Sequence, residues 1–315
     1  MKKIIALGAL AIMIFAFATP VTAQETPSDT IEFEIRIATL EAMLESLMAQ
    51  LTAIPAPAAG HAAVSVQRQE TEQLERLMFR FQYYGVCFAI AQNEFLAHHQ
   101  ALTERQLALE KIRLELGFTT QNNLDDLTAV FNNLESQIEL NHETIETQRE
   151  HVNTRRGRQG YEFIRDFAIP TPGSASVNSA DELRRHLTQS NATLTVLNSA
   201  LNQARGHINW DETDLMEEQR DLLLRQLELA AITAWNNYQS ARTQHDLAVS
   251  EAPLLETRLN LIDDMYELGE ISTIDKMASR FAIYAEQHAA DAAAITLSMA
   301  IAEIEFMRRG ILGFA

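Results

Sequence analysis

The sequence predicts an all-α protein built from long antiparallel helical hairpins in two repeats. With 11 Gly and 7 Pro among 315 residues, the chain has too few turn residues for a strand-rich fold. Long segments place apolar residues at helical spacing. Two short stretches, around Gly117 and Gly269, share a helix-ending pattern, and each lies between two such segments. We therefore expect two hairpins with related tips.

The first 23 residues are predicted to be a secretory signal peptide. Lys2 and Lys3 precede an apolar run that begins at Ile4, and small residues ending at Ala23 form a cleavage pattern. The run is too short and wrongly flanked to predict a membrane anchor. We expect an exported protein of the periplasm or cell envelope.

The formal net charge of −18 argues against a nucleic-acid surface, because a phosphate backbone would repel it. This charge either keeps an exported protein soluble or lines a channel with acidic groups. Cys87 is the only cysteine, so an internal disulfide is impossible. The default interpretation of Cys87 is buried apolar filler, and an intermolecular bridge is the alternative.

The first repeat is predicted to span residues 24–159. It begins with a helix over Ile31–Thr52, followed by a loop at Ala53–His61 that contains two prolines. The brief alternation of Ala63–Gln67 predicts a stub of strand. A long helix should then run over Glu70–Leu116.

The helix that returns from the Gly117 tip is predicted to carry a heptad seam. Asn141 occupies a skipped position in that seam, and we expect it to fix helix register rather than to serve catalysis. The seam residues are Leu124, Leu127, Phe131, Leu134, Ile138 and Ile145.

Residues 160–180 are predicted to be a linker, because prolines and a glycine cluster at residues 170–173. Its aromatic side chains, Tyr161, Phe163 and Phe167, predict that the linker docks against the outside of the helices.

The second repeat, residues 181–315, is predicted to open with one helix that ends near Gly206. Ser179 could cap this helix and Glu182 could complete a capping box. Asn191-Ala-Thr193 matches a glycosylation sequon, which we interpret as a chance occurrence.

A turn at Gly206–Asp214 should lead into a helix over Leu215–Leu268 with a kink at Pro253. The last helix is predicted to fade near Gly310. Its apolar residues have heptad-like spacing: Ile274, Met277, Phe281, Tyr284, Ile295 and Met299.

The second tip contains the residues that end one helix and start the next. Gly269 can take the positive φ that terminates a helix. Ser272 or Thr273 can cap the following helix, and Asp275 lies in its first turn, where negative charge is favoured. In the first tip, Gly117 corresponds to Gly269 and Thr120 to Ser272.

These tips resemble those of the TolC family of outer-membrane efflux and type I secretion channel proteins. The family pattern is similar to Tyr-x-x-Gly-x-x-Ser/Thr-x-x-Asp-x-Leu. The second tip matches it at Tyr266, Gly269, Ser272 and Asp275, with Met277 in place of Leu.

The first tip matches the same pattern at two positions, Gly117 and Thr120. Leu114 stands in place of Tyr, and Asn123 stands in place of Asp.

The resemblance implies a protomer of a helical barrel that assembles as a homo-oligomer, a trimer. Its implied partners are a periplasmic adaptor, or membrane fusion protein, and an inner-membrane transporter, with outer-membrane association where the host has such a membrane. The tips, at Gly117, Thr120, Tyr266, Gly269 and Ser272, would dock the adaptor.

The resemblance also implies that Asp275 lines the channel entrance. From the residues alone, Asp275 could equally be a helix-start acid, and the two glycines could be simple helix C-caps.

The sequence departs from the family where members insert membrane β-hairpins. The corresponding connections, Ala53–Gln69 and Gly206–Asp214, are too short for spanning strands, which need about 9–11 residues each. The alternative function is therefore a coiled-coil structural or adaptor protein of the envelope that lacks the barrel and has no transport activity.

No motif predicts an enzyme or a cofactor. His98 and His99 are adjacent and point to different helix faces, so they cannot grip one metal from one face. The sequence has no His-Glu-x-x-His pattern, phosphate-binding loop or Gly-x-Ser-x-Gly elbow.

Overall fold

The computed structural model describes the backbone of residues 61–158, 164–204 and 210–311, and the side chains of 72–154, 164–202 and 213–311. Within these ranges the chain forms six helices and no strand. We number them α1 (His61–Glu115), α2 (Gln121–Arg158), α3 (Ala180–Ser190), α4 (Ala192–Ala204), α5 (Trp210–Glu267) and α6 (Thr273–Met307). The predicted all-α class is confirmed. The predicted signal peptide and the helix over Ile31–Thr52 lie outside the described residues.

The predicted strand stub at Ala63–Gln67 is wrong, because α1 begins at His61 and includes it. Five alternating residues are too weak a signal to override the helix that follows them. The second predicted turn is also shorter than expected, since α5 begins at Trp210 rather than at Leu215. Residues 53–60 and 206–209 of the two connections lie outside the described ranges. Helix α5 continues through Pro253.

The helix predicted between Ser179 and Gly206 is interrupted at Asn191, which has an extended backbone (φ −70°, ψ 119°). Ser179 caps α3 as predicted, because its side chain accepts a hydrogen bond from the backbone N–H of Glu182. The Glu182 carboxylate accepts a bond from the backbone N–H of Asn178, at 2.8 Å, rather than from the capping residue itself.

The chain divides into two compact units, and each takes segments from both halves of the sequence. Unit 1 contains the described residues up to Phe81, Gly173–Gln239, and the residues from Met299 onward. Unit 2 contains Gln82–Pro172 and Ser240–Ser298, and therefore both hairpin tips.

In unit 1 the end of α6 packs against the junction between α3 and α4. Gly310 has φ +89°, and an added Cβ would lie 2.1 Å from the backbone oxygen of Ser190. The side-chain amide of Asn191 donates to the Gly310 carbonyl at 2.9 Å. The apolar core around this contact includes Leu183, Leu187, Leu201, Leu227, Ile304 and Phe306.

In unit 2 the predicted heptad seam of α2 faces inward. Leu134 and Ile145 are buried. Asn141 is buried too, and its amide donates to the backbone oxygen of Ala89 in α1 at 2.9 Å. This hydrogen bond ties one position of α2 to one position of α1, as a register-fixing residue should.

The linker docks on α1 within unit 2. The Phe167 ring stacks on Tyr83 with centroids 5.2 Å apart. The Ala168 carbonyl accepts hydrogen bonds from the Tyr83 hydroxyl and the Cys87 thiol, both at 3.3 Å. The predicted docking is confirmed at Phe167. Tyr161 and Phe163 lie outside the described residues.

Candidate functional site: the two hairpin tips

Each tip ends its first helix with a glycine in the left-handed region. At the second tip Gly269 has φ +76°. Its N–H donates to the Tyr266 carbonyl at 3.0 Å, and the N–H of Glu270 donates to the Met265 carbonyl at 2.9 Å. This pair of bonds is a Schellman motif, which satisfies helix-end carbonyls and needs a residue that tolerates positive φ. The predicted role of Gly269 as a helix terminator is confirmed.

Gly117 terminates α1 in the same way, with φ +78°. Its N–H donates to the Leu114 carbonyl at 3.0 Å, and the N–H of Phe118 donates to the Arg113 carbonyl at 2.8 Å. The backbone hydrogen bonds that end the helix are therefore the same in both tips, although the surrounding side chains differ.

At the second tip, α6 begins with a reciprocal capping box. The Ser272 hydroxyl accepts from the Asp275 N–H at 3.2 Å and donates to the Asp275 carboxylate at 2.6 Å. The carboxylate also accepts from the Ser272 N–H at 3.3 Å. Ser272, rather than Thr273, is therefore the cap, and Asp275 is held by it while remaining exposed.

At the first tip, α2 begins with a weaker cap. The Thr120 hydroxyl accepts from the Asn123 N–H at 3.4 Å. Asn123 cannot return a carboxylate bond, and its amide instead donates to the Thr119 hydroxyl at 3.1 Å. Thr119 also donates to Glu110, which links this tip back to α1. The sequence difference between Asn123 and Asp275 thus becomes a difference in capping.

Charged side chains tie α5 to α6 beside the second tip. Asp263 pairs with Lys276 at 2.8 Å and with Arg280 at 3.3 Å. The hydrogen bond from Lys276, assisted by the charge of Arg280, lowers the pKa of Asp263. The Lys276 ammonium also lies 4.3 Å from the centroid of the Tyr266 ring, a cation–π contact. Tyr266 is therefore a packing partner within the tip.

Large apolar side chains are exposed at both tips. Phe118 is 72% exposed and Leu268 is 74% exposed, and each lies directly beside a tip glycine. Leu116 is exposed as well. The tip pattern in the sequence does not include these residues, although each adjoins one of its two glycines.

All six predicted tip residues belong to unit 2. Hydrogen bonds and ion pairs of the described side chains hold each tip to its own two helices, and none of them joins one tip to the other. The geometry defines two small tips, each held by its own set of hydrogen bonds.

The described residues do not form a chemical centre of another kind. No group of three or more His, Cys, Asp or Glu in this part of the chain could hold a metal ion. Among the described helices, none has an apolar stretch long enough to cross a membrane. Cys87 is buried, and burial raises the pKa of its thiol to about 11. This environment fits the interpretation of Cys87 as buried filler.

No family model matches the chain, and no curated protein matches its sequence. Solved structures do match. A crystal structure of CusC, studied for conformational changes accompanying folding and transmembrane channel formation, matches with a TM-score of 0.57 at 11% identity, over 98% of both chains.

Two further solved structures have lower scores. VceC, an outer membrane protein of Vibrio cholerae, matches with a TM-score of 0.44 at 12% identity, over 98% of this chain and 97% of that chain. The CmeC outer membrane channel of Campylobacter jejuni matches with a TM-score of 0.41 at 12% identity, over 98% and 86%.

The similarity to CusC defines the class of fold. The chain shares its helical-hairpin fold with CusC, with nearly the full length of both chains aligned. The TolC-like architecture expected from the tips is confirmed at the level of the fold.

Proposed function

We propose that this protein is a subunit of a TolC-like efflux or secretion channel in the cell envelope. The observation that carries the proposal is the fold shared with CusC over 98% of both chains. CusC forms a transmembrane channel, and the proposal extends channel formation to this chain. The two capped hairpin tips also support it, because the residues that carry the family resemblance form the caps of these tips.

The working form in this proposal is a homo-oligomer, a trimer. Support comes from an exposed leucine stripe on the unit 2 part of α5 and its end, where leucines recur every seven residues. Each is between 56% and 74% exposed: Leu247, Leu254, Leu261 and Leu268. A seven-residue apolar repeat is the pattern of a helix that packs along another helix. A second copy of the chain would cover the three that lie on α5, Leu247, Leu254 and Leu261.

Light scattering coupled to size-exclusion chromatography tests the oligomer on residues 24–315. We expect a mass above that of one chain, and we expect Leu254→Gln with Leu261→Gln to shift it toward the monomer. Val196→Gln is the matched control, because Val196 is an exposed apolar residue on α4, in unit 1. A monomer at high concentration for the unaltered protein would contradict the proposal.

The partners proposed for the tips are a periplasmic adaptor and, through it, an inner-membrane transporter. Phe118 and Leu268 offer apolar contacts at the two tips, and the carboxylates of Asp275 and Glu270 add negative charge at the second. Photocrosslinkers at positions 118 and 268 should capture a protein of the adaptor class in cells. The same group at exposed Leu140 on α2 is the control position. Capture of the adaptor from position 140 alone would rule out docking at the tips.

Asp275 is also proposed to line the channel entrance. Its exposed carboxylate could attract cations even while it caps α6. Asp275→Asn should then reduce cation export, whereas Ser272→Ala, which weakens the cap but keeps the charge, should not. Equal losses in both variants would reduce Asp275 to a capping residue.

The second candidate is a coiled-coil structural or adaptor protein of the envelope without transport activity. The short connection at Gly206–Asp214 favours it, since α5 already begins at Trp210. An oligomer that assembles through the leucine stripe but gives no export in cells would support this candidate instead.

A further inference from the structure

In unit 2, α1 and α6 meet through a cluster of rings. We call it the ring cluster and define it as Phe88, Phe95 and His99 of α1 with Phe281 and His288 of α6. Phe95 is central to it, because its centroid lies 5.2 Å from Phe281 and 5.1 Å from His288. The cluster joins the hairpin that contains the first tip to the hairpin that contains the second.

His288 is a polar group enclosed by this apolar contact. Its side chain is 6% exposed, and its ring stacks on Phe95 with an interplanar angle of 14°. Phe88 approaches it at 5.9 Å. Within the described part of the chain, the Nδ1 atom of His288 is buried and has no hydrogen-bond partner. A proton added to this ring would place a charge inside apolar packing, where Nδ1 has no hydrogen-bond partner.

His99 occupies the other side of the cluster. Its ring stacks on Phe281 at 4.7 Å and lies 6.4 Å from Phe95. Burial lowers the pKa of both His99 and His288. Burial in this packing therefore favours the neutral form of both rings.

Among the described residues, no ion pair joins His288 to the titratable groups around the cluster. Burial raises the pKa of Asp291 of α6, and the charge of Glu94, from α1, adds to this effect. His98, also from α1, stacks on Tyr284 of α6 at 3.7 Å.

From α5, the charged groups that reach α6 are already paired. Arg258 binds Glu286 at 2.6 Å. Asp263 binds Lys276 and Arg280 beside the tip.

We propose that the ring cluster is an acid-sensitive contact, in which protonation of His288 and His99 loosens α6 from α1. The two hairpins of unit 2 would then separate more readily in a mildly acidic compartment than at neutral pH. This inference concerns the contact between the helices and does not depend on the proposed channel function.

The direction of the pH effect follows from the lowered pKa values of His99 and His288. A histidine whose folded pKa is lowered binds a proton more readily once the contact has opened. The contact is at full strength above the ordinary value of about 6.5 and weakens as pH falls toward the lower folded value. Asp291 acts in the opposite direction, because its raised pKa makes the folded form take up a proton first. That gain in stability grows as pH falls from the raised folded pKa toward the ordinary carboxyl value of about 3.9.

Hydrogen exchange on the full chain tests the inference by comparing pH 7.5 with pH 5.5, after correction for the intrinsic exchange rate. We expect protection over residues 88–99 and 281–291 to fall, by up to about tenfold for each histidine, since an imidazole with the ordinary value of about 6.5 is mostly protonated at pH 5.5 once the contact has opened. Protection over α4, in unit 1, should change little.

The double variant His99→Phe with His288→Phe keeps the rings and removes the titration, so it should retain its protection at pH 5.5. His142→Gln is the matched control, because His142 is exposed on α2. It should lose protection as the unaltered protein does. Equal loss in the double variant, or no loss in the unaltered protein, would overturn the proposal.

A measurement on the unaltered protein covers the case in which the double variant does not fold. Exchange of the imidazole C2 proton, followed by mass spectrometry, reports the pKa of each histidine. We expect His288 to titrate below the ordinary histidine value of about 6.5. A His288 that titrates at or above that value would also overturn the proposal.

Discussion

The side-chain amide of Asn191 donates to the backbone carbonyl of Gly310 at 2.9 Å, joining residues 119 positions apart. Its amide oxygen accepts from the N–H of Leu194 at 2.9 Å and so caps α4. One buried side chain thus starts a helix and holds the end of α6. The amide is also the group that glycosylation at the sequon would modify, and it is buried here. This burial agrees with interpreting the sequon as chance.

Asn191→Ala should lower the free energy of unfolding by about 2–3 kcal/mol, since it removes a helix cap and leaves a buried carbonyl without its donor. Urea denaturation followed by circular dichroism measures the change. Ser199→Ala, on the exposed face of α4, is the control and should change stability by less than about 0.5 kcal/mol. Equal effects of the two substitutions would show that the contact with Gly310 contributes nothing.

Gly310 and Gly269 share a left-handed backbone but differ in their surroundings. Gly269→Ala should cost about 1–2 kcal/mol, because the strain of positive φ is its only penalty and no atom lies within 4 Å of the added Cβ. Gly310→Ala carries the same strain and also drives a methyl group into the Ser190 carbonyl.

We therefore expect Gly310→Ala to cost at least about 1 kcal/mol more than Gly269→Ala. Thermal unfolding of the two variants side by side gives the comparison. A smaller loss for Gly310→Ala would mean that the end of α6 moves away from α3 at little cost.

The Cys87 thiol should be unreactive in the folded protein. Burial raises its pKa to about 11, so almost no thiolate is present at pH 8. Reaction with a chromogenic disulfide reagent should be at least about a hundredfold slower for the folded protein than for the protein in guanidinium chloride. Since its folded pKa is raised, this thiol contributes stability that is present below pH 9 and is lost as pH rises toward 11. Rapid reaction of the folded protein would contradict this.

We expect Asn141 to fix the register of α2 against α1 at a cost in stability. Asn141→Leu removes its bond to Ala89 but buries an apolar side chain in the seam, and we expect it to raise the free energy of unfolding by about 1 kcal/mol. Asn141→Asp should lower that energy by about 2–3 kcal/mol, because a buried carboxylate would face the Ala89 carbonyl. Chemical denaturation distinguishes the two. If register depends on Asn141, hydrogen exchange of Asn141→Leu should show two populations over α2.

The tips could be predicted from the sequence because helix ends are determined locally. Gly269, Ser272 and Asp275 each bond to a residue three positions away, so a short stretch of sequence is enough to predict this tip. The break at Asn191 could not be predicted in this way. It depends on Gly310, which lies far away in the sequence, and the residues around Asn191 are compatible with a continuous helix.

The leucine stripe shows a second limit of sequence patterns. Leu254 and Leu255 are adjacent and chemically identical, yet Leu254 is 60% exposed and Leu255 is 5% exposed. Periodicity indicates that α5 has apolar faces, but it does not indicate which of them the protein itself covers. Tertiary packing decides this, and only the structure reveals the uncovered face.

The way the two units are assembled has a consequence for dissecting this protein. A cut in the linker near Gly173 would separate the two sequence repeats, but unit 2 draws on residues both before and after that cut. Each fragment would then expose the inner side of a helix pair, with Phe95 on one fragment and His288 on the other. Neither repeat, expressed alone, would contain a complete hydrophobic core. The two halves would have to be supplied together to reconstitute the fold.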